Sequence, residues 1–130
     1  MPSPLPKRLV AVIEDDEAVL NSLQYMLEAQ GHRVCLFERA QNAIDSLDIM
    51  SADCLLIDYA LPDSDGLTML AALRRRGLAC PAIIIASNPP ARCVTGAEKV
   101  GAALVEKPII GDELNDRLDE VLAARPVAGA

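Results

Sequence analysis

Short unbroken apolar runs punctuate this chain, and between them apolar residues recur at intervals of three and four. Leu9 to Ile13 is the first run, the pattern of a strand buried on both faces. Acidic residues then open a helical stretch from about Glu17 to Gln30, with Val19, Leu20, Leu23, Met26 and Leu27 on one side and Gly31 as its stop. Val34 to Phe37 predicts a second strand. Ala40 to Leu47 predicts a short helix through Ala43, Ile44 and Leu47. Cys54 to Ile57 is a third strand that ends at Asp58. The turn Leu61-Pro62-Asp63-Ser64-Asp65-Gly66 follows, and Leu67, Leu70 and Leu73 mark the next helix. Ala82 to Ile85 is a fourth strand. The stretch Arg92 to Val100 makes a poor helical pattern, preceded by Pro89-Pro90, interrupted by Gly96 and carrying only small apolar side chains. Ala102 to Val105 predicts a fifth strand, closing at Lys107-Pro108, and Leu114, Leu118, Val121 and Leu122 stripe a last helix.

Strand and helix thus alternate five times without an internal repeat. Such alternation predicts an α/β fold, a parallel sheet with helices on both faces. Right-handed crossovers restrict the topology to a few doubly wound orders, and the flavodoxin-like order 2-1-3-4-5 is the expectation. At 130 residues the chain holds one domain, expected over residues 8–124, with a disordered lead-in over 1–7 and a flexible tail over 125–130.

Composition narrows the chemistry. The chain is 52% hydrophobic with two Tyr, one Phe and no Trp, so Leu, Ile, Val and Ala must build the core. A formal net charge of −7 lacks the basic footprint that phosphate contacts with a nucleic acid require. The one basic run, Arg74-Arg75-Arg76 before Gly77, reads as a solvated complement to a helix C-terminus rather than an anion site. Four cysteines without C-x-x-C spacing and a single His argue against zinc and for buried free thiols in a reducing compartment. No run reaches the length of a membrane span, and the Pro-rich start lacks the apolar core of a secretory signal, so the cytoplasm is expected.

In a doubly wound sheet, ligands gather beyond the carboxyl ends of the strands. Glu14, Asp15 and Asp16 follow the first strand, Asp58 ends the third, Ser87 and Asn88 follow the fourth, and Lys107 ends the fifth. The expected strand order brings Glu14, Asp15, Asp58 and Lys107 to one patch. Clustered carboxylates repel one another unless a counter-charge joins them. Lys107 supplies one positive charge, and a hard divalent ion with oxygen ligands, Mg²⁺, supplies the rest. A carboxylate beside Mg²⁺ and an ammonium is a nucleophile for an activated phosphoryl group. The bland alternatives are that the acids after the first strand merely favour a helix N-terminus and that Ser87 is ordinary turn chemistry.

These residues resemble the receiver domains of two-component response regulators from about Leu9 to Leu122. Three signatures carry the resemblance: Val-Ile-Glu-Asp-Asp-Glu-Ala-Val, the block Leu-Ile-Asp-Tyr-Ala-Leu-Pro-Asp-Ser-Asp-Gly, and Glu-Lys-Pro. The middle block is the most specific, with Pro four and Gly eight positions after the strand-end Asp. The resemblance implies that Asp58 is the phosphoacceptor and that Glu14, Asp15, Asp58 and the backbone carbonyl of Ala60 ligate Mg²⁺. It further implies that Lys107 is the site lysine and that Lys107-Pro108 is a cis peptide. Glu14 is a mild departure from the family that keeps the charge of a position often held by Asp, and two departures matter more. Ala86 falls where the phosphate-contacting Ser or Thr is expected, so either Ser87 takes that role through a local shift or the hydroxyl is missing. Leu104 stands where an aromatic switch residue is usual, which puts the usual hydroxyl–aromatic coupling in doubt.

The resemblance implies a phosphoacceptor rather than an enzyme, limited to self-directed phosphoryl transfer and autodephosphorylation. Its partners would be a histidine kinase or a histidine phosphotransfer protein, with signalling through protein surfaces, no direct nucleic-acid or membrane contact, and a homodimer left open. A stand-alone receiver is favoured over one cut from a longer regulator with a DNA-binding output domain. A non-phosphorylated pseudo-receiver is the main rival, and the presence of Glu14, Asp15, Asp58 and Lys107 opposes it. A flavodoxin-like cofactor binder needs a phosphate loop where this chain has three acids, and an aspartyl phosphohydrolase needs a cap domain for which there is no room.

Overall fold

The computed structural model describes residues 8–109 and 112–123; the lead-in and tail expected at the termini lie outside them. Five parallel strands, β1 (Leu9–Ile13), β2 (Arg33–Phe37), β3 (Cys54–Asp58), β4 (Ala82–Ala86) and β5 (Ala103–Glu106), alternate with five helices. These helices are α1 (Glu17–Ala29), α2 (Ala40–Asp45), α3 (Gly66–Arg75), α4 (Ala91–Lys99) and α5 (Glu113–Ala123). The sheet order is β2-β1-β3-β4-β5, the predicted doubly wound arrangement.

Successive side chains of a strand point to opposite faces, so each central strand feeds two cores. Ala11, Ile13, Leu55, Ile57, Ala82 and Ile84 pack under α2, α3 and α4 with Ala43, Met69, Leu70, Leu73 and Cys93. Val10, Val12, Cys54, Leu56, Ile83 and Ile85 pack under α1 and α5 with Leu20, Leu23, Leu27, Leu114, Leu118 and Leu122. That double burial is why these strands read as continuous apolar runs. The four cysteines are free, three buried and Cys35 half-buried on the edge strand β2.

The predicted helix from Ala40 to Leu47 is shorter in the structure. It ends at Asp45, a 3₁₀ turn over Asp48–Ser51 follows, and Ile49 rather than Leu47 enters the core. Leu47 matches the helical period yet is 81% exposed. The weak pattern at 92–100 nevertheless forms a regular helix, α4. A Cβ on Gly96 would lie 2.7 Å from Cδ1 of Leu67, so the glycine lets α4 approach α3 while Cys93 and Ala97 face inward.

The basic run is more than a solvated helix end. Arg74 donates to the carbonyls of Leu78 (2.9 Å) and Cys80 (2.6 Å), bracing the turn into β4. Arg76 donates to the carbonyls of Ile44 and Ser46, closing the C-terminal end of α2.

Candidate functional site

The carboxyl ends of β1, β3 and β5 bring four predicted residues together. Asp58 is the last residue of β3, in register with Ile85 of β4, and its parity places it on the α1 and α5 side of the sheet. Glu14 follows β1, its amide donating to the carbonyl of Phe37. Both carboxyl groups are buried, Asp58 at 6% and Glu14 at 2% exposure. Asp15, next along the chain, is exposed. Carboxylate oxygens of Glu14, Asp15 and Asp58 lie within 4.8 Å of one another. Lys107 reaches in from the end of β5, with Nζ 3.2 Å from Oδ1 of Asp58 and 3.5 Å from Oε2 of Glu14. Its peptide bond to Pro108 is cis, as expected.

Burial is the leading influence on the Asp58 carboxyl and raises its pKa. The Lys107 ammonium and the Ala60 amide pull the other way, and the Asp15 charge adds to the rise. Glu14 is likewise raised, first by burial and then by the Asp58 charge, against a hydrogen bond from the Asp16 amide and the attraction of Lys107. For Lys107, burial alone would lower the pKa, but Asp58 and Glu14 together outweigh it and the net shift is upward. The ion pairs thus outweigh burial for the ammonium but do not offset it for the two carboxylates. One cation for three acids leaves a deficit of positive charge, and a hard divalent ion suits an all-oxygen set of this kind.

Other acids crowd the same end of the sheet, and helix capping separates them from the site. Asp16 accepts from the amides of Ala18 (2.9 Å) and Val19 (3.2 Å) as the N-cap of α1, so the bland reading holds for this acid. Asp65 caps α3 through the Thr68 amide at 2.8 Å and the Thr68 hydroxyl at 2.9 Å. Asp63 accepts from the amides of Ala40 and Gln41, each at 2.9 Å, at the start of α2. No sequence-local signal marks that bond, because its partners lie 22 and 23 residues away.

Ala60 sits in the loop between β3 and α3, bridged to Asp65. The base of this loop is tight: Tyr59 donates to Ile85 at 2.8 Å and Gly66 to Tyr59 at 2.7 Å. A Cβ on Gly66 would stand 2.7 Å from the carbonyl oxygen of Asp58, so only glycine fits. Arg92, at the start of α4, lies beside Tyr59, and that neighbour raises the pKa of its guanidinium.

Ala86, the last residue of β4, turns its methyl into the core under α2, α3 and α4 and is 2% exposed. Ser87 follows it, exposed, and lines a groove of 890 Å³ with Lys107, Pro108 and the α1 residues Val19 and Met26. Asn88 then turns the chain at a φ of +44°. Leu104 is half-buried on β5 against the α2–α4 layer.

Comparison with known proteins agrees with this fold. Residues 10–119 match the family model described as the response regulator receiver domain. The transcriptional regulatory protein FixJ of Bradyrhizobium diazoefficiens is 31% identical over 121 residues, covering 92% of this chain and 59% of that protein. FixJ of Azorhizobium caulinodans is 34% identical over 109 residues, 83% of this chain and 50% of its own length. The chain therefore spans about half the length of these curated relatives. Among solved structures, the non-phosphorylated HemR receiver domain of Leptospira biflexa superposes with a TM-score of 0.85 at 24% identity, covering 93% of this chain and 99% of that one.

Proposed function

Because this chain belongs to the response regulator receiver domain family, we propose that it accepts a phosphoryl group on Asp58 from the phosphohistidine of a histidine kinase or a histidine phosphotransfer protein. One observation carries the reading: a buried strand-end carboxylate 3.2 Å from the Lys107 ammonium, with Glu14 and Asp15 beside it. Lys107 holds Oδ1 of Asp58, and a carboxylate oxygen of Asp58 attacks phosphorus. The new O–P bond forms as the P–N bond of phosphohistidine breaks, and the departing imidazole keeps the bonding pair and takes a proton from water. Lys107 neutralises charge gathering on the phosphoryl oxygens. Glu14, Asp15, Asp58 and the Ala60 carbonyl are the groups to hold Mg²⁺, which supplies further charge neutralisation at those oxygens when bound. Ser87, which lines the same groove as Lys107, is the hydroxyl assigned to contact the phosphoryl group in this reading.

The exchange requires no cofactor beyond the metal, and the phosphorylated surface acts on a protein partner in the cytoplasm. No helix among the described residues is long and apolar enough to cross a membrane. Two matched relatives are named transcriptional regulatory proteins, and the match covers 59% and 50% of their lengths; delivery to a DNA-binding output is the second reading that this favours.

Incubation with acetyl phosphate and Mg²⁺ tests the proposal. Mass spectrometry should find one acid-stable, base-labile adduct, and Asp58→Asn should abolish it. An adduct that persists in that variant places the nucleophile elsewhere.

A further inference from the structure

The loop from Tyr59 to Asp65 carries the Ala60 carbonyl but is anchored unevenly. At its base, the Tyr59 amide donates to Ile85 of β4 and the Gly66 amide donates to the Tyr59 carbonyl. Across its middle, the Leu61 amide donates to the carbonyl of Ser64 at 3.1 Å, and the Leu61 side chain packs into the core. Beyond that, Pro62 and Asp63 are exposed. Among the described residues, the hydrogen bonds joining this tip to the body of the fold are those from the Ala40 and Gln41 amides to the two oxygens of Asp63.

The receiving end needs this acid as well. Arg39, the residue at the N-cap position of α2, makes no side-chain capping bond. The leading amides of α2 are orphan donors that must find acceptors from elsewhere, and Asp63 accepts both. Those two amide bonds hold its carboxyl below the usual carboxylate range, so it stays ionised.

We propose that Asp63 is a positioning residue for the phosphoacceptor site: by gripping the start of α2 with both carboxylate oxygens, it fixes the tip of the 59–65 loop and so the carbonyl of Ala60. This rests on the reading that Ala60 ligates Mg²⁺, and it adds a residue that takes no part in binding the ion. These bonds also engage both oxygens of Asp63, one of the two acids in the loop. Released, Asp63 is a free negative charge on a mobile tip, and the carbonyl loses its fixed direction.

The test compares Asp63→Ala with Asp63→Asn in the full chain, well below both melting temperatures. Mg²⁺ titration should show Asp63→Ala about 10-fold weaker than wild type, the loss typical of a group that orients a metal ligand. Asp63→Asn keeps a side-chain oxygen and a good capping residue, and should recover most of it. Amide exchange separates positioning from simple capping. Asp63→Ala should speed exchange at Leu61 and Gly66 as well as at Ala40 and Gln41. Faster exchange at Ala40 and Gln41 alone, with Mg²⁺ affinity unchanged, overturns the proposal. If wild type binds no Mg²⁺, the metal reading fails by itself, and exchange at Leu61 and Gly66 still decides whether Asp63 holds the loop.

Discussion

Lys107 and Asp58 are 49 residues apart in sequence, and their charged groups meet at 3.2 Å. The same ammonium lies 3.5 Å from Glu14, so two buried carboxylates share one cation. Removing it strands both. Lys107→Met keeps most of the aliphatic stem and should destabilise the metal-free protein at pH 7 by about 1–3 kcal/mol. Without the ammonium, both acids titrate still higher in the folded state. The deficit therefore grows as pH rises above the unfolded carboxylate value of about 4 and shrinks on acidification. Chemical denaturation at pH 7 and pH 4.5 measures it; equal deficits at both would mean that Lys107 acts through packing.

Burial raises the pKa of Asp58 in the native protein. A carboxyl whose folded pKa exceeds its unfolded one costs stability as pH rises through that interval, and the cost persists above it. Asp58→Asn carries no such cost. In metal-free buffer at pH 7 it should melt above wild type, with a margin that narrows toward pH 4. Millimolar Mg²⁺ should narrow the margin at pH 7 by stabilising wild type, since a ligand of the native state at ten times its Kd contributes about 1.4 kcal/mol. A variant that melts below wild type at pH 7 would show that the pairing with Lys107 outweighs burial.

Two glycines give opposite expectations from similar distances. At Gly66 the atoms in the way of a Cβ are the Asp58 carbonyl oxygen at 2.7 Å, Ile57 Cγ2 at 2.9 Å and Tyr59 Cα at 3.2 Å. Backbone must move, and Gly66→Ala should cost about 1–3 kcal/mol and impair phosphoryl acceptance. At Gly96 the obstacle is the end of the Leu67 side chain, which can rotate. Alanine also favours a helix interior by about 1 kcal/mol over glycine. Gly96→Ala should therefore be near neutral in a melting experiment, and a loss as large as that of Gly66→Ala would mean Leu67 is locked.

Ser87 is tested by amide exchange with and without beryllofluoride. In wild type, protection should change most between Ser87 and Val105. Ser87→Ala should blunt that change while Asp58 still accepts phosphate. Wild-type behaviour of the variant would mean that this protein signals without a hydroxyl at either Ala86 or Ser87.

Much of this architecture was legible because burial on both faces leaves an unmistakable trace. Val10 and Ala11 face different cores, so β1 can hold no polar residue until Glu14. The site followed, because strand order alone collects Glu14, Asp58 and Lys107. Features that depend on contact between distant segments were not legible. Leu47 fits the helical period, but α2 has already ended and Ile49 fills the core. Gly96 reads as a helix breaker in isolation and is a spacer once Leu67 is beside it. Asp16, Asp63 and Asp65 are the same residue type as Asp15, and only the amides they accept distinguish caps from candidate ligands.

The fastening of α2 has a consequence for the order in which the chain assembles. Six residues are too few to hold a helix in water, and its two fasteners, Asp63 and Arg76, both follow it in the chain. During synthesis, Ala40–Asp45 leaves the ribosome well before either. The helix has its full set of fastening bonds only once the segments carrying Asp63 and Arg76 are in place, so a segment early in the sequence depends on later ones for its final shape.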